Sequence, residues 1–408
     1  MPGREVTQGV QMSVYLDHAA TAPMLPAAIS AYAEAMAVVG NPASIHSQGQ
    51  NAKRMLEEAR EQVAASVHSD PIEIVFTGSG TESVNLAIKG LYWARAPRTR
   101  ILVPGGEHHA TVDTVEWLAE QEGARVQWIP LDALGRIRLD ALESAILENP
   151  EDVALVTLLA ANNEVGTLQP VEAVAALAAK AGIPVHVDAI SAYGHVPIDF
   201  AQLHAAGVSA VSVSAHKIGG PVGIGALVLA RTATVVPLIH GGGQQRQVRS
   251  GTQDVAAAVS FAVAATAMTK ELDAEARRLR VLRDLVIAGV RAAVPTAVLN
   301  GDPDDAGRLP GNAHFTFPGC EGDSLLFLLD VAGVSVSTGS ACQAGIPEPS
   351  HVLRAMGRSA AEARSALRIT LGRTSTQADV DALLTALPVA WAQAFGAGMA
   401  DSAPRAYT

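Results

Sequence analysis

Cysteine is nearly absent: Cys320 and Cys342 are the two in 408 residues. That scarcity excludes a disulfide framework and a cysteine-built zinc site, and leaves each sulfur to be read as a thiol. Aromatic residues are also scarce at 4%, so the core has to be assembled from Ala, Val and Leu. Basic charge is short, with 29 Lys and Arg against 40 Asp and Glu, a formal balance of −11, and no dense basic cluster. Nucleic acid and anionic lipid are therefore not expected as ligands. The first thirteen residues lack the apolar stretch of a secretory signal. The longest apolar run, Val255 to Met268, is too short to span a bilayer and contains Ser260 and Thr266. A cytoplasmic protein with no membrane association is expected. Neither a Walker lysine nor a GxGxxG run occurs, so nucleotide binding is not supported. His108 and His109 would point opposite ways in extended chain, so they do not chelate one metal, and no metal site is expected.

What the chain does have is a long alternation of short apolar runs with helical patterns. The runs Ile74–Phe76, Ile101–Val103, Val153–Leu159, Ile183–Val187, Val208–Val213 and Ala226–Leu229 read as strands. Helical stretches lie before and between them. This order predicts a mainly parallel sheet covered on both faces by helices, with ligands beyond the carboxyl ends of the strands. Asp254 to Val294 reads as one or two long helices leading to a smaller α+β unit with strands at Ala313–Phe317, Val334–Val336 and Leu367–Leu371. At this length two domains are more natural than one.

Polar residues recur where the apolar runs stop. Thr77-Gly78-Ser79-Gly80-Thr81-Glu82-Ser83 follows a strand and opens a helix, an arrangement that turns backbone N–H groups toward a phosphate. A capping box of Ser79 and Glu82 explains the same pattern without a ligand. Asn162-Asn163-Glu164 follows Leu159, and Asp188 ends the run Ile183–Val187, where a carboxylate is costly unless paired. Ser214-Ala215-His216-Lys217 ends the run Val208–Val213. A lysine held there could be a carbonyl-reactive amine, although the simpler reading of that stretch alone is a lysine snorkelling to solvent. Cys342 lies among small residues, Ser337 to Gly345, without apolar periodicity, which favours an open loop and a reactive thiol over a core sulfur. Cys320 reads as a buried one.

Taken in order, Tyr15–Thr21, Gly40–Ser44, Gly80–Ser83, Glu107-His108, Asn162–Gly166, Asp188-Ala189, Ser214–Lys217, Arg249–Thr252, Gly339–Cys342 and Leu367-Arg368 resemble the motifs of the cysteine desulfurases, from about Val14 to Arg373. The resemblance implies an α/β protein of pyridoxal-phosphate fold type I, the aspartate aminotransferase fold. Its large domain, with a mostly parallel seven-stranded sheet, would span 22–265. A smaller α+β domain would comprise 1–21 and 266–408 and carry the cysteine loop at about 337–350. It also implies a pyridoxal 5′-phosphate enzyme that converts L-cysteine to L-alanine and passes the sulfur to an acceptor protein for iron–sulfur cluster, thio-tRNA or other thio-metabolite synthesis.

By the same resemblance, Lys217 would hold the cofactor as a Schiff base and act as base at Cα. Asp188 would pair with the ring nitrogen and His108 would stack on the ring and shuttle protons. Gly80, Thr81, Ser214 and His216 would hold the phosphate, with Thr252 reaching in from the second subunit of a homodimer. Arg368 would take the substrate carboxylate with help from Asn162, and Cys342 would carry the sulfur as a persulfide. Ser191 stands where the family usually has a glutamine that donates to the ring's 3′ oxygen; the shorter side chain would need a closer ring or a bridging water. A selenocysteine lyase, another C–S lyase of this fold, and a non-catalytic sulfur carrier or scaffold are the alternatives.

Overall fold

The computed structural model describes residues 13–339 and 349–401. In chain order the elements are β1 (Val14–Tyr15), α1 (Pro26–Met36), α2 (Ser47–Ser66), β2 (Ile74–Thr77), α3 (Gly80–Ala94), β3 (Arg100–Pro104), α4 (His109–Glu122), β4 (Arg125–Ile129), α5 (Leu139–Glu148), β5 (Val153–Leu159), α6 (Val171–Ala179), β6 (Val185–Asp188), α7 (Phe200–Ala206), β7 (Val208–Ser214), β8 (Gly225–Leu229), α8 (Val255–Ala293), β9 (Val298–Leu299), β10 (Asn312–Thr316), α9 (Gly322–Val331), β11 (Val334–Ser335), α10 (His351–Ala355), α11 (Ala360–Arg364), β12 (Ala366–Thr370) and α12 (Gln377–Asp401).

Seven strands form one sheet in the order β2-β8-β7-β6-β5-β3-β4, parallel throughout except for β8. Its central strands are buried on both faces, which is why they read as continuous Val, Leu and Ile runs. One face packs on α2 and the first half of α8, where Leu56, Val63, Phe261 and Ala265 meet Val156, Val187 and Val211. The other is covered by α3 and α4, with Val84, Ile88, Val115 and Leu118 against Ile101 and Val103. β4 was not among the expected strands. It is the edge strand and mostly exposed, so its residues Arg125-Val126-Gln127-Trp128 carry no apolar run.

A second core surrounds the antiparallel strands β12-β10-β9, the parallel pair β1-β11, and the packed faces of α8, α9 and α12. Leu16 from the N-terminal segment is fully enclosed there with Val286, Phe315, Leu325 and Ile369. α8 is one helix that serves both cores, through Ala257–Met268 in the first and Leu279–Val290 in the second. α8 and α12 are each apolar and long enough to cross a membrane. Both lay apolar stripes into these cores, α12 through Val380, Leu383, Leu387 and Ala390. The C-terminal part of the chain is not all in the second core: Val352, Leu353 and Met356 of the α10 region pack on the first. Cys320 is buried, as its surroundings suggested.

Phe261 is fully enclosed, edge-on to Phe76 and Tyr193 at ring separations of 6.4 and 6.3 Å. Truncating it removes contacts that the rigid sheet cannot close over. Phe261→Ala should destabilise the protein by about 3–5 kcal/mol, read as a lower denaturant midpoint at unchanged slope.

Candidate active site

The parallel register brings the ends of β5, β6 and β7 to one edge, with Leu159 opposite Asp188 and Asp188 opposite Ser212. Beyond that edge lies a cavity of about 430 Å³. Its wall takes Gly80, Thr81, His108, Asp188, Ser191, Ser214, His216 and Lys217 from the large-sheet side and Arg368 from β12. Nine residues singled out from the sequence thus share one space.

At one end is the start of α3. Ser79 Oγ accepts from Glu82 N at 3.0 Å, which caps the helix. The Glu82 carboxylate does not complete the expected capping box; it accepts from Gly78 N at 2.7 Å and from Arg249 Nε at 2.9 Å. A Cβ on Gly80 would lie 2.4 Å from Ile190 Cδ1 and 3.2 Å from the Ser214 side chain, so glycine lets the helix start reach this edge without displacing Ile190. Ser214 Oγ is buried beside it without a hydrogen-bond partner. His216 Nδ1 lies 3.2 Å from Thr21 Oγ1.

Asp188 is buried, and its Oδ1 accepts from Ile190 N at 2.9 Å. Burial raises it to about 6, against the pull of that bond and of Lys217. Lys217 Nζ donates to the carbonyl of Ala19 and, at 2.8 Å, to that of Ala20. Burial lowers it to about 8; Arg368 adds to the effect, while Asp17 and Asp188 oppose it.

His108 is the N-cap of α4, so the two histidines do not lie in extended chain as assumed. His108 Nδ1 accepts from Ala110 N at 3.0 Å, which assigns the proton of the neutral ring to Nε2. The ring is accessible through the open cavity but otherwise surrounded by protein. That enclosure, with the neighbouring Lys217, His109 and His351, holds it down to about 4. His109 is turned to His351, ring edge to face at 5.1 Å. Glu107 is wholly buried behind them; Oε1 accepts from Leu159 N at 3.1 Å, and burial raises its carboxyl well above the usual range.

Arg368 donates through Nη1 to Asn163 O at 2.9 Å and through Nη2 to Asp17 Oδ1 at 2.8 Å, while its buried Nε has no partner. Asn162 does not reach the cavity. Its Nδ2 donates to Gly106 O, and its Oδ1 accepts from Glu164 N and Val165 N, each at 2.9 Å. Asn163 lines the space instead, with an unpartnered Oδ1. The expectation for Asn162 therefore moves to its neighbour: both belong to the same polar run, and only the turn geometry tells them apart. Asp17, which sequence reasoning placed in a motif without giving it a role, is the ion-pair partner of Arg368. Thr252 is exposed and lies outside this cavity of its own chain. Cys342 falls outside the described residues. Among the described residues no cluster of metal-binding side chains occurs.

Comparison with known proteins gives a consistent picture. Residues 14–383 match the family model described as aminotransferase class-V. An IscS-like cysteine desulfurase from Mycobacterium tuberculosis is 53% identical over 390 residues, covering 95% of this chain and 98% of the relative. A cysteine desulfurase IscS from Methanosarcina thermophila is 39% identical, covering 92% of this chain and 91% of the relative. Among solved structures, a NifS-like protein superposes with a TM-score of 0.85 at 34% identity, covering 94% of this chain and all of its own. A structure described as SspA in complex with cysteine gives 0.76 at 31% identity, covering 89% and 100%.

The depressed lysine can be tested without any ligand. Amine labelling of Lys217 in the ligand-free protein, followed by peptide mass spectrometry, should rise with pH around 8 and level off below 10.5, because a lowered pKa puts the neutral amine at lower pH. A rise centred on 10.5 would mark a solvated lysine.

Proposed function

The chain belongs to the aminotransferase class-V family and, within it, to the cysteine desulfurases, and from that membership we propose that Lys217 holds pyridoxal 5′-phosphate in this cavity while Arg368 and Asn163 receive the carboxylate of L-cysteine. The activity is desulfuration of L-cysteine for sulfur mobilisation. The observation that carries the site assignment is the convergence of Asp188, Lys217 and the unpartnered Ser214 Oγ around the α3 start.

The residues fit the cofactor. The N-terminus of α3 with Gly80 and Thr81, the Ser214 hydroxyl and His216 offer donors for a phosphate. Asp188 is a buried carboxylate that a protonated ring nitrogen would bring back toward its ordinary pKa. Bound there, pyridoxal phosphate supplies an aldehyde that condenses with amines and a ring that accepts an electron pair.

The remaining work falls to the chain. With a pKa of about 8, a useful fraction of Lys217 is neutral near pH 7, so it can take a proton from the substrate's Cα. His108 stays neutral at that pH and can carry a proton at Nε2 on the open side of the cavity. Arg368 presents its planar fork to a carboxylate, with Nε free to donate and Asp17 as the resting counter-charge. Cys342 as thiolate attacks the substrate sulfur; the Cβ–S bond breaks with its electron pair passing to the carbon side, which takes up a proton and leaves as alanine. A thiolate of the acceptor protein then takes the outer sulfur of the persulfide and frees the Cys342 thiolate. Ser191 lines the same space from the turn after Asp188, and its shorter side chain would need a closer ring or a bridging water to serve the ring's 3′ oxygen. We further assign the active form to a cytoplasmic homodimer in which Thr252 of one subunit completes the phosphate site of the other. Thr252 follows three residues after Arg249, which is anchored to the first turn of α3.

Two substitutions test this reading. Cys342→Ala should lower alanine release by about two orders of magnitude or more while leaving the cofactor's visible band in place; release at the wild-type rate would rule out the persulfide. Arg368→Lys should raise KM for cysteine about tenfold or more, with a smaller change in kcat, because a point charge replaces a bidentate fork.

A further inference from the structure

Lys217 faces more than the cofactor cavity. Adjoining it is a small cavity of about 30 Å³ that shares Asn163, Ser191 and Lys217 with the larger one and is lined further by His18, His195, Asn312 and Thr370, together with apolar side chains. Behind that is a cleft of about 190 Å³ between the two cores, reached by His18, His195, Lys217, Glu271, Glu275 and Arg373. Thus Lys217, His18 and His195 line both spaces. The small cavity is large enough for one water, which needs roughly 10–15 Å³ and two to four polar partners. The partners are present: His18 Nδ1 and Asn163 Oδ1 are both buried without a hydrogen-bond partner, and the Ser191 hydroxyl joins them in the same lining.

The site is built rather than incidental. His18 is 3% exposed, its Nε2 lies 3.3 Å from Ser375 Oγ, and Gly372 makes room for its ring, since a Cβ there would sit 2.2 Å from His18 Nδ1. Ser191 matters through its size, because a longer side chain at that position would fill the space. Burial, with His18 and Lys217 nearby and only Glu275 opposing, holds His195 down to about 4, so at neutral pH its ring is neutral, with one nitrogen a donor and the other an acceptor.

The geometry points to a back-side proton path: Lys217, an ordered water held by His18 and Asn163, then His195, then the solvent of the inter-core cleft. The inference rests on Lys217 being the base at the substrate's Cα. The Lys217 amine takes the Cα proton and becomes an ammonium, which gives one proton to the water while the water gives one to an imidazole nitrogen of His195. The opposite ring nitrogen releases its proton to the cleft. No electrons move and the net charge is restored. His195 acts through Lys217 and is a positioning and relay residue, whereas the water site does not depend on what the reaction is. Such a path would let Lys217 exchange its proton while substrate covers the front cavity.

Two measurements decide the matter. A high-resolution crystal structure of the protein should show a water within hydrogen-bond distance of His18 Nδ1 and Asn163 Oδ1; a dry cavity overturns the path independently of any activity. The second follows holoenzyme converting Cα-deuterated L-cysteine in ordinary water, with the deuterium retained at Cα of the alanine read by mass spectrometry. Wild type should retain little, and His195→Phe about threefold more or higher, since the abstracted deuteron returns before it washes out. His195→Ala should behave like His195→Phe, and added imidazole, small enough for the cleft, should bring retention back down; a purely structural role would show no such rescue. Equal retention in wild type and both variants overturns the relay. If Lys217→Ala released alanine at the wild-type rate, the base assignment itself would fail, and with it the relay, even where the water is present.

Discussion

Desolvation at the carboxyl edge of a parallel sheet is the constraint on which this structure depends. Asp188 ends a strand flanked on both sides by other strands, and Lys217 follows the next one; each is shifted toward its neutral form because protein replaces water around it. Moving a charge into such a place is unfavourable unless a partner compensates, and removing one partner of a buried pair leaves the other exposed to the full penalty. The two groups offset each other only in part, since burial is the largest effect on each. A ligand that brought a cation to Asp188 and a covalent partner to Lys217 would relieve both, and the stability given up at this edge would become affinity for it.

The second requirement is that residues from two cores meet at that edge. The turn after β5 does this with backbone and side chain together. Asn162 holds the turn closed, Asn312 donates to Glu164 O at 3.0 Å, and Arg308 donates to the carbonyls of Val165, Asn300 and Asp302. A buried guanidinium satisfied by several carbonyls fixes orientation more than it adds stability. The result is that β12, which carries Arg368, is set against Asn163 from the first core and Asp17 from the N-terminal segment.

How much of this was legible follows from where information sits in a sequence. Strands buried on both faces announce themselves, so β5, β6 and β7 and the polar residues at their ends could be read directly, and with them Asp188, Ser214 and Lys217. β4 could not, because an exposed edge strand has no apolar run to recognise. The choice between Asn162 and Asn163 depended on which side chain the turn directs inward, and adjacent identical residues carry no sign of that. Asp17 lies 351 residues from Arg368, a pairing that only tertiary structure creates. His18 stood in the same motif as Asp17 without a role, and His195 is a single histidine in an ordinary local context; their common cavity appears only once β12, the turn after β6 and the N-terminal segment are packed together.

The segment from Asp17 to Thr21 is where these threads join. It is tied to β12, with His18 N donating to Thr370 O at 3.3 Å and Ala19 N to Thr370 Oγ1 at 2.9 Å. It supplies Asp17 to Arg368, and the carbonyls of Ala19 and Ala20 to Lys217. To bond a cofactor, the lysine amine has to exchange those two carbonyls for a covalent partner, and to bind a carboxylate Arg368 has to share or release Asp17. Both exchanges act on the same five residues, whose preceding Leu16 is locked in the second core. Lys217 and Arg368 are therefore both bonded to one short strap with one buried anchor.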